Sequence, residues 1–181
     1  MNTTGKRGMG TASAPFLTIA ALKPRRLEAL MRRGKTPDVG ALVGREYRGM
    51  NLGAAPGLLG IRKFIKGFFL RDRQPFGYNI RARQNDPEQP WVARLTGGKR
   101  KRFGFYRVLP VDPESTDNAY LNALLLDYGQ GGNGPLDVTS RIRDYIVRVH
   151  PQSDDLLLGK AYMAIGPLRL HAGYFLIERQ D

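Results

Sequence analysis

From about residue 40 onward, apolar and polar positions alternate in short runs broken by Gly, Pro, Asn and Asp. In PFGYNIRARQ, Phe76, Tyr78, Ile80 and Ala82 share one face while Arg81 and Arg83 take the other. ALVGREYRGMNLG alternates in the same way, with Val43, Arg45 and Tyr47 against Gly44, Glu46 and Arg48. PWVARLTG, KRFGFYRVLPV, NALLLDYGQ, RDYIVRVHP, DLLLGKAYMAI and LRLHAGYFLIER continue the pattern. Repeated period-two runs between turn residues predict a mainly β protein: an antiparallel sheet closed into a lipocalin-like or calycin-like barrel, or folded as a sandwich.

One segment has a different period. In PRRLEALMRRG, Leu27, Leu30 and Met31 fall on one helical face, Pro24 suits the first turn and Gly34 the stop, which predicts a short N-terminal helix. Residues 1–20 are expected to form an N-terminal arm, disordered to about residue 14, ahead of a single domain over 21–181. A chain of 181 residues with 41% hydrophobic content holds one sizeable core rather than two.

Two connections can be read directly. TGGKRK links PWVARL to RFGFYRV, and its glycines supply the positive φ of a tight turn, which places Lys99, Arg100, Lys101 and Arg102 at a hairpin tip as an electrostatic surface. Gly166-Pro167 separates the last two strands. GQGGNGPLD is glycine-rich but lacks the Lys-Ser/Thr ending of a phosphate loop, so it does not predict nucleotide binding.

Charge adds a partner question. The formal net charge of +13 suits polyanions, with anionic membranes and nucleic acid as the two obvious kinds, although a solvated arginine-rich surface gives the same pattern. Arg102-Phe103-Gly104-Phe105 partly matches an RNA-binding signature. Strict alternation, however, puts Phe103 and Phe105 on one buried face and Arg102 with Tyr106 on the other, which predicts a packed stem rather than a base-stacking platform. No apolar run approaches the length of a membrane span, and the basic stretch after APFLTIAAL is unlike a signal peptide. The expected location is therefore cytoplasmic, with peripheral membrane contact.

The absence of cysteine excludes disulfides, thiolate metal sites and cysteine nucleophiles. Two histidines in no paired spacing do not predict a metal site. Asp86/Glu88, Asp112/Glu114 and Asp154/Asp155 sit in turn-like contexts, and no nucleophile elbow or dinucleotide fingerprint occurs, so no catalytic residue is predicted.

At LVGREYRGMNLG followed by IRKFIKGFF the chain resembles the bacterial GXWXG-motif proteins, small barrels of the calycin type. Gly44, Tyr47 and Gly49 stand in the first motif, with tyrosine for tryptophan and one extra residue. Phe64, Lys66, Gly67 and Phe68 stand in the second, with lysine and glycine exchanged. The resemblance runs through LLLGKAY and YFLIER over about residues 40–179. It implies carriage of fatty acids or other apolar molecules, or haem as in some calycin relatives, and it transfers no catalytic residue.

A ligand-binding barrel needs inward side chains, and Tyr47, Phe64, Phe68, Tyr78, Trp91, Phe105, Tyr128, Tyr145, Tyr162 and Phe175 are the aromatic candidates, either as cavity lining or as plain core. Polar residues on apolar strands say more. An inward Lys66 or Lys160 would call for a carboxylate or phosphate headgroup, whereas an outward one would only snorkel to solvent. Arg107 lies in a similar context, and His171 is the candidate haem ligand. Tyr47, Lys66, Phe68, Tyr128, Lys160, Tyr162 and His171 form the expected binding set for a hydrophobic small molecule or lipid. An RNA or single-stranded nucleic-acid barrel is the alternative, and a module for a protein partner is a third.

Overall fold

The computed structural model describes residues 10–53, 60–134 and 136–180. Eight antiparallel strands close into one barrel: β1 (Glu46–Leu52), β2 (Lys63–Arg71), β3 (Gln74–Arg81), β6 (Arg102–Pro110), β7 (Leu124–Asp127), β8 (Ile142–Arg148), β9 (Leu156–Ile165) and β10 (Leu168–Arg179). Around the wall they run β1-β10-β9-β8-β7-β6-β3-β2. The seam is the β1–β10 ladder, in which Tyr47 stands opposite Arg179 and Leu52 opposite Tyr174.

Two small strands, β4 (Leu95–Thr96) and β5 (Lys99–Arg100), form a separate hairpin. Its turn glycines take positive φ (57° at Gly97, 75° at Gly98), as the sequence pattern predicts. The stem differs from expectation, because β6 pairs with β3 and β7 rather than with PWVARL.

The predicted helix is present as α2 (Pro24–Arg33), which buries Leu27 and Met31. The arm was expected to stay irregular through residue 20, but it forms α1 (Ala14–Ala20): Ser13 caps it by accepting from the Phe16 N–H, and Phe16 and Ile19 are buried. Phe16 meets the edge of Trp91 at a ring separation of 5.8 Å, so one aromatic contact gives this short segment a tertiary anchor. Residues 1–9 lie outside the described part.

Alternation divides the wall into two apolar clusters. The inner one contains Tyr47, Phe64, Phe68, Tyr106, Leu157 and Phe175 and is stoppered at one end by Leu42 of α3 (Val39–Leu42). The outer one lies under α1, α2 and the loops 82–94 and 111–123. A sheet buried on both faces reads as continuous apolar runs, which is why LLLGKAYMAI shows little alternation.

Strand β6 breaks strict alternation. Its pairing with β3 slips between Gly77 and Asn79, where Gly104 takes a φ of 52°. This bulge puts Phe103 with the inner cluster and Phe105 with the outer one, while Tyr106 is fully buried inside. The expectation that Phe103 and Phe105 share a buried face, with Tyr106 opposite, is thereby corrected.

Candidate functional site

Strand β2 turns Phe64, Lys66 and Phe68 inward, and the ladders set Lys66 beside Tyr47 of β1 and Asn79 of β3. Strand β8 lies diametrically across the barrel from β2, and it turns Asp144 inward between Ile142 and Ile146. Lys66 spans the lumen to meet it, with Nζ 3.3 Å from Asp144 Oδ2 and 2.8 Å from the Tyr128 hydroxyl. Tyr128 donates to the same Oδ2 at 3.0 Å and accepts from Asn79 Nδ2 at 3.2 Å. Asn79 also donates to the Gly104 carbonyl at 2.9 Å, tying the bulge to the polar centre.

The setting is dry. Lys66 is 1% exposed and Asp144 4%. Rings of Tyr106, Tyr128, Phe175 and Phe64 surround the ammonium at 4.5, 5.3, 5.3 and 5.8 Å from their centroids. Burial pushes Lys66 below the usual lysine range, against the pull of Asp144, and pushes Asp144 up against the pull of Lys66 and Tyr128. The hydroxyls of Tyr106 and Tyr128 are driven well above the ordinary tyrosine range, first by burial and then by Asp144, so both act as neutral hydrogen-bonding groups.

One atom of this centre stands apart. Asp144 Oδ2 accepts both Lys66 and Tyr128, whereas no described residue donates to Oδ1. With Oδ2 taken by both protein donors, Oδ1 is the oxygen of Asp144 that a ligand donor or a water would meet.

Close packing surrounds the centre. The rings of Phe64, Tyr106 and Phe175 lie on Gly49, Gly77 and Gly159, where any Cβ would overlap the ring. Tyr47 donates to the Asp154 carbonyl at 3.0 Å, and Tyr106 to the Gly67 carbonyl at 3.0 Å. Eight strands leave room for side chains or for one small ligand at most.

The expected binding set therefore splits. Tyr47, Lys66, Phe68 and Tyr128 lie in the lumen. Lys160, Tyr162 and His171 lie on the outer side, beneath or beside α2. Lys160 donates to Glu28 Oε2 at 2.8 Å and to the Tyr120 hydroxyl at 2.7 Å, and Tyr174 donates to the same Glu28 oxygen at 2.8 Å. His171 stacks against Tyr162 and Tyr174 with ring separations of 5.9 and 5.1 Å. Burial, and then Lys160, lowers its pKa. A haem in the lumen would not meet it. Tyr78, Trp91, Phe105 and Tyr145, also expected inside, belong to the outer cluster.

An inward Lys66 or Lys160 would call for an external acid, and an outward one would snorkel to solvent. Each meets one of the chain's own, Asp144 and Glu28, so neither implies a carboxylate or phosphate headgroup. The rule that singled out Lys66, a polar residue on an apolar strand, applies equally to Asn79 and Asp144, which sequence reasoning overlooked. Glu28 was hidden among helix charges, where it also pairs with Arg32 one turn on, and its barrel-side partners Tyr120, Lys160 and Tyr174 are remote in sequence.

The basic hairpin runs along the barrel wall. Lys99, Arg100, Lys101 and Arg102 are all exposed, but Arg100 reaches Glu46 Oε2 at 2.6 Å and the Arg102 guanidinium lies 4.0 Å above the Tyr78 ring. Among the described residues no group of three or more His, Cys, Asp or Glu is placed to hold a metal ion, and no helix is long and apolar enough to cross a membrane.

Comparison with protein-family models, with curated proteins and with solved structures returned no match.

Proposed function

We propose that this chain is a binding barrel for one small, mostly apolar molecule that carries a hydrogen-bond donor, held with its apolar body among the lumen rings and its donor on Asp144. The observation that carries the reading is the buried polar centre of Lys66, Tyr128 and Asp144 set among the lumen rings, in which Asp144 Oδ2 takes both protein donors and leaves Oδ1 for a donor of the ligand. Because Lys66 and Asp144 neutralise each other, the ligand that fits is neutral, with a hydroxyl or N–H, rather than a fatty acid held by a free ammonium. The resemblance of the Tyr47 and Lys66 segments to carrier barrels supports an apolar ligand, without its fatty-acid headgroup.

Native mass spectrometry of freshly purified protein, followed by solvent extraction, looks for a resident molecule. Titration with N-phenyl-1-naphthylamine, an apolar fluorophore with one N–H, supplies a defined probe. Saturable uptake by the wild type, weakened by about tenfold in the double variant Lys66→Met/Asp144→Leu, supports the proposal, since one lost hydrogen bond to a charged acceptor is worth about that much. A bare protein that takes up no probe, or a double variant that binds it as tightly as wild type, overturns it.

A further inference from the structure

The barrel has one closed end and one end that presents apolar side chains to solvent. Register locates the second. The β1–β10 ladder stops at Leu52 opposite Tyr174, and the β8–β9 ladder at Ile142 opposite Met163. Beyond those rungs β9 and β10 pair with each other, up to Ile165 opposite Leu168, and turn at Gly166-Pro167. A two-stranded ribbon therefore projects past the barrel rim.

Cross-strand partners share a face, so Ile165, Leu168 and Leu170 lie on one side of this ribbon, the side continuous with the lumen. They are 47%, 60% and 52% exposed. The opposite side is fixed to the body: Arg169 binds Asp117 through Nε and Nη2, with Nη2 also 3.0 Å from Thr116 Oγ1. Exposed Val138 heads the 3₁₀ turn Val138–Arg141, which leads into β8 beside the ribbon, and Leu136 precedes it, 98% exposed. Singly exposed leucines are ordinary, but a group on one ribbon face and the adjoining loop marks a contact surface.

The charge around this end names the partner. Arg62 leads into β2, Arg81 ends β3, Arg83 follows it and Arg141 precedes β8, and all four are exposed. The exposed acids in the same loops are Asp86 and Glu88. Apolar tips among arginines match the boundary between phosphate headgroups and acyl chains, where aliphatic side chains bury and cations meet phosphates. The geometry points to this end of the barrel as a docking surface for an anionic lipid bilayer, with the β9–β10 ribbon as its inserted lip. The lip, rather than the GGKRKR hairpin on the wall or the arginines of α2, is the element that enters the membrane.

Co-sedimentation with vesicles of phosphatidylcholine, alone or mixed with equal parts of phosphatidylserine, tests the surface. The wild type binds the mixed vesicles, and added salt weakens binding. Leu168→Asp/Leu170→Asp lowers partitioning by about tenfold or more through lost apolar burial. Each arginine changed to glutamine, Arg62 or Arg141, lowers it about fivefold. The milder Leu168→Ser/Leu170→Ser pair, checked by an unchanged melting temperature and Trp91 emission, separates lost insertion from lost folding. No binding to either vesicle overturns the inference. So does binding that the leucine pairs leave unchanged, or a preference for a single-stranded RNA oligonucleotide over the mixed vesicles that is indifferent to them.

Discussion

Lys160 Nζ lies 2.8 Å from Glu28 Oε2, across the boundary between the barrel wall and helix α2. Partial burial pushes the Glu28 carboxyl up, but hydrogen bonds from Lys160, Tyr174 and Tyr120 outweigh it and hold the group down at about 2, against an ordinary 4.5. An acid depressed in the folded state stabilises it above the unfolded value, and that stability is lost as pH falls from 4.5 toward 2. With water reaching part of the side chain, the contribution is about 1 kcal/mol. Urea unfolding followed across this window shows the loss in the wild type, and Glu28→Gln removes that part of the acid dependence.

Removing one member of the lumen pair is expected to be severe. Asp144→Leu leaves a buried ammonium unpaired, and Lys66→Met a buried carboxylate, each at a cost of about 3–5 kcal/mol. Lys66→Met/Asp144→Leu removes both charges together and costs less than the sum of the single changes. Chemical denaturation of all three in a double-mutant cycle checks this, and strict additivity would mean that the two groups do not act as a pair.

The glycines under the rings give a prediction about packing. Gly159→Ala drives a Cβ into the Phe175 ring and is expected to destabilise the barrel by about 1–3 kcal/mol, despite the better intrinsic propensity of alanine in a strand. Phe175→Leu in the same chain makes room and recovers part of the loss, measurable as a partial return of the melting temperature.

Lys63 clips the loop after β3. Its ammonium donates to Asn85 Oδ1 at 2.6 Å and to the carbonyls of Asp86 and Gln89 at 3.0 and 2.8 Å, and lies 3.7 Å above the centre of the Trp91 ring. Lys63→Met leaves those acceptors unmet and removes the cation from the ring. The expected results are faster proteolytic cutting within residues 84–90 and a changed emission of the single tryptophan, Trp91.

Several parts of this architecture were legible because their causes are local. The GG turn, the helix starting at Pro24 and the run of short strands each rest on residue type and spacing within a few positions. What escaped was long-range. Trp91 and Tyr78 read as barrel lining because an aromatic on a β-rich segment carries no label for inside or outside. The wall is apolar on both faces, and only the covering helices and loops decide which face is which. Phe103 and Phe105 were misassigned for a single reason, the bulge at Gly104, where a positive φ cancels the count of two. Lys66 was correctly noticed, but its partner is 78 positions away, a pairing no window could find.

The seam between β1 and β10 has a kinetic meaning as well. Six of the other seven ladders join strands that follow one another around the wall in chain order, and only β3–β6 skips the small hairpin. Such neighbours can meet early by closing short loops, whereas Tyr47 must find Arg179 across almost the whole domain. The rate of reaching the native barrel is therefore governed by that last rendezvous. A substitution such as Met50→Ala, at a buried rung of the seam opposite Leu176, would slow folding more than it speeds unfolding.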